Sequence, residues 1–411
     1  MPYMEWAKTV MEGNLRDVID AGSSGIAAVT LRELGVKLSD LALDGPHGYS
    51  AARALHRAIA RYAGTGEERI MPALGASHAL SLACAALIRP GDEALVETPG
   101  YEALHLVPRA YGARIVPLPR RFENGFQIDP DEMRRLLTPR TRLILVTNLH
   151  NPSGVALSRD SLAALASCAG GRLPARPRAR AAGREHARRA TAAERDAAGR
   201  GGARAAAARA SDDRARARLE ERPWVVVNEV YRDFIRKDPP PAGHTLGPRG
   251  VSLSSLTKVY GLGYTRVGWI LGDPALIHRA SRVNDFGVVN APYIADTIGA
   301  LAFARRRRLL ARTLGILGAN QRVLDRFLAS APRLDRVPPA GGLIAFPRVR
   351  GVANTRAFVE RAIREHGVLV VPGEFFGAPG HVRIGIGARR PAVLAEGLAR
   401  LARALDAIKG I

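Results

Sequence analysis

Short apolar runs alternate with longer amphipathic stretches through the first two-thirds of the chain. Runs at 93–97, 113–118, 142–147, 224–230, 251–255 and 267–272 are rich in Val, Ile, Leu and Ala, the pattern of strands covered on both faces. Between them, 77–87, 101–111 and 130–137 carry helix-like composition, with Ser77 and Asp129 placed as N-caps and Pro130 at a first helical position. Strands alternating with helices predict a large α/β domain over 45–290 with a mostly parallel sheet between helices. Past 290 the pattern changes. A long helical period with alternating charge fills 302–329, and short apolar runs follow at 343–347, 368–371 and 382–386, with helices expected at 353–365 and 391–408. These predict a smaller α+β domain over 291–411, completed by the N-terminal segment 1–44.

Between 169 and 222 the alternation stops. The stretch is almost wholly arginine, alanine, glycine and proline without apolar periodicity, and such a composition cannot bury enough surface to offset its ordering entropy. Connections in α/β units need only a helix and short turns, so an insertion, disordered or partly helical, is expected here. A locally altered reading frame or a functional basic arm would leave the same composition.

The stretch also bears on charge. Residues 170–218 hold fourteen arginines against five acidic residues, which is +9 of a formal net charge of +23. Clustered arginine attracts nucleic-acid backbones, but no stretch interleaves it with aromatics, which are only 5% of the chain. With 56 arginines against five lysines, a general arginine bias explains the charge, and nucleic acid is not an expected partner. No apolar run approaches the roughly 18 residues that span a bilayer, and the start Met1-Pro2-Tyr3-Met4 lacks a secretory pattern. A cytoplasmic protein with no membrane partner is expected. Cys84 and Cys168 have no metal or disulfide spacing, so no metal is expected.

Chemistry concentrates in the block 252–269, which contains Ser255, Thr257, Lys258 and Arg266. A lysine amine can shed its proton near neutral pH and attack a carbonyl, and a nearby guanidinium fork suits a phosphate. An amine, an anion-binding arginine and hydroxyls in one segment suit a cofactor carrying both an aldehyde and a phosphate, pyridoxal 5′-phosphate (PLP). Five further segments stand in order around it. Leu74-Gly75-Ala76-Ser77-His78 opens a helix whose first amides can bind an anion. Thr98-Pro99-Gly100-Tyr101 places an aromatic after a strand, able to lie on a planar heterocycle. Thr147-Asn148-Leu149-His150-Asn151-Pro152-Ser153-Gly154 forces a turn at a strand end. Val227-Asn228-Glu229-Val230-Tyr231 follows, and Val382-Arg383-Ile384-Gly385 carries a charge among apolar neighbours.

Together these segments resemble class I/II aminotransferases, the fold-type-I PLP-dependent enzymes, over nearly the whole chain outside the insertion. The resemblance implies that Lys258 holds PLP as a Schiff base and moves the substrate proton. It implies that Ala76, Ser77, Ser255 and Arg266 bind the phosphate, that Tyr101 stacks on the ring, and that Asn151 and Tyr231 bond its phenolic oxygen. Arg383, with Asn151, would clamp a substrate carboxylate. It also implies a homodimer in which Tyr49 reaches the neighbouring subunit's site, and substrates that are an amino acid and a 2-oxo acid. One position departs from the pattern. Where the family has an aspartate that keeps the pyridine nitrogen protonated, this chain has Asn228, which offers only a neutral hydrogen bond. Adjacent strand residues face opposite sides, so Glu229 is not an obvious substitute. Two alternatives follow: other PLP chemistry on the same scaffold, lyase or oxidase, or a PLP-binding protein with weakened catalysis.

Overall fold

The apolar runs pair into a seven-stranded sheet. In chain order the first strands are β1 (Ile19–Asp20), β2 (Ile70–Leu74), β3 (Glu93–Thr98), β4 (Arg114–Pro119), β5 (Thr141–Thr147), β6 (Trp224–Asn228), β7 (Gly250–Ser255) and β8 (Val267–Leu271). The sheet runs β2-β8-β7-β6-β5-β3-β4, parallel throughout except for β8, which is antiparallel to both neighbours. This computed structural model describes residues 2–12, 17–41, 45–173, 222–235 and 237–408. Of the expected insertion, 174–221 lies outside the described residues. Ala169, by contrast, is fully buried and ends the helix before it, so the ordered chain runs past the expected start of the insertion.

Alternation along the central strands shows why the sheet needs layers on both faces. Leu143 and Leu145 of β5 join one apolar cluster, while Ile144 and Val146 join another; Val226 and Val225 of β6 divide the same way. The helices in chain order are α1 (Pro2–Glu12), α2 (Leu31–Leu34), α3 (Gly45–Ala63), α4 (Gly75–Leu87), α5 (Glu102–Ala110), α6 (Pro130–Leu136) and α7 (Arg159–Cys168). They continue with α8 (Pro274–Asp285), α9 (Tyr293–Ala304), α10 (Arg306–Ala329), α11 (Thr355–His366) and α12 (Pro391–Asp406). Leu80, Ala83, Cys84 and Leu87 of α4 pack on the first face; Leu162, Leu165 and Ala166 of α7 pack on the second. Asp129 caps α6 as expected, accepting from the amides of Asp131 and Glu132.

Three expectations need correction. Ser77 is not an N-cap: α4 begins at Gly75, with Leu74 in the cap position, so Ser77 lies within the first turn. The expected helix 302–329 is two helices that break at Arg305, whose guanidinium bonds the Gly35 carbonyl at 3.2 Å. Strand β2 was absent from the expected set because Pro72 interrupts its run; the proline is tolerated because β2 is an edge strand.

Past the large sheet come β9 (Leu334–Asp335), β10 (Ile344–Ala345), β11 (Arg348–Val349), β12 (Val368–Leu369), β13 (Val371–Pro372) and β14 (Val382–Gly385). β14 lies between β10 and β13, antiparallel to both, and β1 pairs in parallel with β12. The N-terminal segment is thereby tied to the C-terminal strands. Among the described residues, no helix is long and apolar enough to cross a membrane and no side-chain group fits a metal ion.

Candidate active site

Strands β3, β5, β6 and β7 run in parallel and end on one side, and the loops leaving those ends form the wall of a cavity of about 590 Å³. Every expected site residue except Tyr49 lines it: Ala76, Ser77, Tyr101, Asn151, Asn228, Tyr231, Ser255, Lys258, Arg266 and Arg383. Tyr49 lies elsewhere, well exposed, with its ring centroid 5.7 Å from that of Tyr293.

One end of the cavity is built to hold an anion. Gly75 opens α4 at φ +79°, and a Cβ there would collide with the Arg266 guanidinium. Only glycine lets the arginine lie across the helix start. Arg266 itself has φ +55° and donates to the Leu74 and Gly263 carbonyls, each at 3.1 Å. The first amides of α4, which lack intrahelical acceptors, therefore point to a place flanked by Arg266 and the Ser255 hydroxyl.

Lys258 stands in the middle. It is half-buried, and burial, reinforced by the positive charges of Arg383 and Arg266, holds its amine down to about 8. Its Nζ donates to Ser24 Oγ at 3.0 Å. Tyr231 is buried, which pushes its hydroxyl up to about 12, and that hydroxyl donates to the Ser24 carbonyl at 3.3 Å. Burial also raises the hydroxyl of Tyr101 above its usual range.

Arg383 closes the far side. Its guanidinium donates to Tyr3 Oη and the Gly22 carbonyl, each at 3.0 Å, and to Asn151 Oδ1 at 3.4 Å, while its Nε is buried without a partner. None of these partners is a carboxylate, so a structural ion pair does not explain this buried charge. Asn151 is set by Thr147, whose Oγ1 accepts from its backbone amide at 3.1 Å. Beneath it, Glu97 and Arg120 form a fully buried pair at 2.7 Å, and His150 bonds the Pro99 carbonyl at 2.8 Å. That network joins the Tyr101 turn to the Asn151 turn.

Asn228 and Glu229 point to opposite sides of the sheet. Asn228 lines the main cavity, whereas Glu229 lines a separate one of about 250 Å³ with Arg232 and Trp269. Glu229 thus cannot supply the charge that Asn228 lacks. Sequence reasoning missed Ser24, Asp20, Tyr3 and Trp6, which also line the main cavity. The Gly-Ser-Ser-Gly run at 22–25 was the one signal for Ser24; nothing in α1 marked Tyr3 or Trp6.

The sequence profile described as aminotransferase class I and II matches residues 41–172 and 215–401. The chain belongs to this family. The gap in the match coincides with the arginine-rich stretch. Capreomycidine synthase of Streptomyces vinaceus is 31% identical, covering 98% of this chain and 93% of its own. An arginine–pyruvate transaminase of Pseudomonas aeruginosa is 29% identical, over 78% of this chain and 70% of its own. Among solved structures, a PLP-dependent aminotransferase from Streptococcus suis matches with TM-score 0.77 at 23% identity, covering 99% of this chain and 97% of that one. Like its family, the chain has the fold of PLP-dependent aminotransferases, and family members are enzymes that transfer amino groups. The residues present also fit PLP chemically: a helix start cleared by glycine, an arginine beside it, a lysine with a lowered pKa and an unpartnered buried Arg383 Nε.

Proposed function

We propose that this enzyme carries PLP on Lys258 and moves an amino group between an amino acid and a 2-oxo acid. One observation carries the reading. Lys258, with its amine held near 8, faces the same cavity as Arg383, whose buried Nε has no partner. The α4 amides, Ser255 and Arg266 would hold the phosphate, Tyr101 would lie on the ring, and Asn151 and Tyr231 would bond its phenolic oxygen. Asn228 would face the ring nitrogen. PLP, once bound, supplies an electron sink for the substrate α-carbon. Arg383 clamps the α-carboxylate in bidentate fashion, with Asn151 beside it. Lys258 Nζ would take the α-proton as general base and, as general acid, deliver it to the cofactor carbon. The α1 side chains Tyr3 and Trp6 line the same cavity and would limit water there.

The same reading divides the chain into a large cofactor-binding domain (45–290) and a small domain (291–411 with 1–44), as the β1–β12 pairing supports. It takes the molecule to be a cytoplasmic homodimer with Tyr49 directed to the partner's site. The exposure of Tyr49, Tyr264 and Phe286 supports a self-association face, and two unpaired cysteines fit a reducing compartment.

Borohydride treatment of PLP-supplied protein should add reduced cofactor covalently to the Lys258 peptide, read by mass spectrometry, and Lys258→Ala should abolish the adduct. No adduct on folded wild-type protein would falsify the reading.

Asn228 favours a second reading, a PLP enzyme whose transamination is weak or which runs another reaction on the same residues. Amino transfer to a panel of 2-oxo acids separates the two. Asn228→Asp, which restores a charge-assisted bond of about 1.5–3 kcal/mol, should then raise kcat for transfer by at least roughly ten-fold.

A further inference from the structure

The loop after β1 was marked in the sequence only by its Gly-Ser-Ser-Gly run, yet it touches three site residues. The Gly22 carbonyl accepts from Arg383 at 3.0 Å, the Ser24 carbonyl from Tyr231 at 3.3 Å, and the Ser24 hydroxyl from Lys258 Nζ at 3.0 Å. Its position is fixed by backbone contacts on both sides. Gly385 N donates to the Ala21 carbonyl at 2.8 Å, Ala27 N to the Gly387 carbonyl at 3.0 Å, and Val29 N to the Gly261 carbonyl at 3.1 Å. Asp20 Oδ1 ties the turn from within, accepting from the amides of Gly22 at 2.8 Å and Ser23 at 3.1 Å.

Glycines make this closeness possible. A Cβ on Gly385 would collide with the Ser23 carbonyl, and one on Gly387 with the Gly25 carbonyl. A Cβ on Gly261, just past the lysine, would come within 2.7 Å of the Ala27 carbonyl. Strand β14 and the lysine loop thus hold the loop from two sides and deliver one hydroxyl to the reacting nitrogen.

We propose that Ser24 is a further catalytic residue, whose hydroxyl holds Lys258 Nζ through both halves of the proton transfer. It accepts a hydrogen bond from the ammonium form. Before Nζ takes the α-proton, the hydroxyl donates to the amine lone pair, and once Nζ is charged it turns and accepts. When Nζ gives that proton up as general acid, the bond reverses. Serine keeps its own proton throughout, so the only proton exchanged is the one between Nζ and carbon. A hydroxyl suits this place because it both donates and accepts. The proposal rests on the PLP reading for its catalytic part, but the contact with Lys258 is independent of it.

The other titratable or charged side chains of the same cavity are Arg383, Arg266, Asp20, Tyr3, Tyr101 and Tyr231. All are left intact by changes at Ser24. The chain has only five lysines, so nitrogen-15 NMR of lysine-labelled full-length protein without added PLP can follow Nζ of Lys258, assigned by Lys258→Met. Ser24→Ala removes an acceptor of the charged form and should lower the Lys258 midpoint by about one pH unit; Ser24→Thr should hold it near wild type. In PLP-loaded protein, Ser24→Ala should lower kcat roughly ten- to a hundred-fold with KM for the amino acid unchanged, and Ser24→Thr should recover most of the loss. An unchanged midpoint in Ser24→Ala, or a shifted midpoint with wild-type kcat, overturns the proposal. Should Ser24→Ala not fold, Ser24→Cys, a weaker acceptor of similar size, is judged by the same two readouts. Absence of the borohydride adduct in wild type, with the midpoint still shifting in Ser24→Ala, sinks the cofactor reading and with it the catalytic role, leaving only the contact.

Discussion

Two neighbours on β6 and the turn after it show how much one step along a strand decides. Asn228 faces the cavity of Lys258, while Glu229 is turned into the opposite layer, where Gly243 N donates to it at 3.2 Å and Arg232 Nε lies 3.6 Å away. Burial outweighs both partners and raises its carboxyl from 4.5 to about 7. The folded state therefore binds this proton up to near pH 7, while the unfolded chain releases it near its ordinary value. The stability that follows is complete below about pH 4.5 and is lost as pH rises through 7. Glu229→Gln, which keeps the shape without the titration, should flatten that decline and be the more stable protein at pH 8, by roughly 1–3 kcal/mol. Thermal melts of both proteins at pH 5 and pH 8 measure it; an equal fall in Tm for the two would rule this account out. Residue-level chemistry was legible wherever a side chain is itself the reagent, as with Lys258, Arg266 and Arg383. Ser24 was not, because a serine acquires its role only when a distant glycine lets the loop approach.

Elements were legible where pattern and packing agree, and obscure where tertiary contact overrides local preference. The central strands follow from their alternating runs, since each odd and even position has its own layer to fill. Strand β2 was hidden by Pro72, whose missing amide matters little on an edge. The cap of α4 was misplaced by three residues because serine is the better cap on local grounds. Gly75 is needed there for another reason, the passage of Arg266. Gly75→Ala tests that reason. It would force a residue with φ +79° to carry a Cβ against the guanidinium, so Arg266 must swing away from the helix start. The expected result is a PLP Kd at least roughly ten-fold weaker, followed by equilibrium dialysis, with a smaller effect on the yield of the Lys258 adduct at saturating PLP. Unaltered PLP retention would show that Arg266 does not need this passage to serve the anion.

At the scale of the whole molecule, the question is what the arginine-rich stretch contributes to the rest. Its flanks have contacts of their own among the described residues. Before it, Ala169 is fully buried against β5 and β6 neighbours, and Gly171 N closes the end of α7 on the Ala166 carbonyl at 2.8 Å. After it, Arg222 bonds the Ser167 carbonyl at 2.5 Å, and Trp224 enters β6 opposite Leu143. The chain thus leaves and re-enters the fold beside the same helix end. The family match stops at 172 and resumes at 215, so the stretch does not follow the family's sequence pattern. All the site residues expected from the sequence lie outside the interval as well. Replacing 174–221 by a Gly-Ser linker of about ten residues should therefore leave the borohydride adduct on Lys258 intact. Each halving of loop length returns about 0.6 kcal/mol of closure entropy, so Tm should hold or rise by a few degrees. Loss of the adduct together with a drop in Tm would mean that the stretch packs against the fold and that its composition misled. Loss of the adduct in a protein that melts as wild type does would instead give these arginines a part in the site.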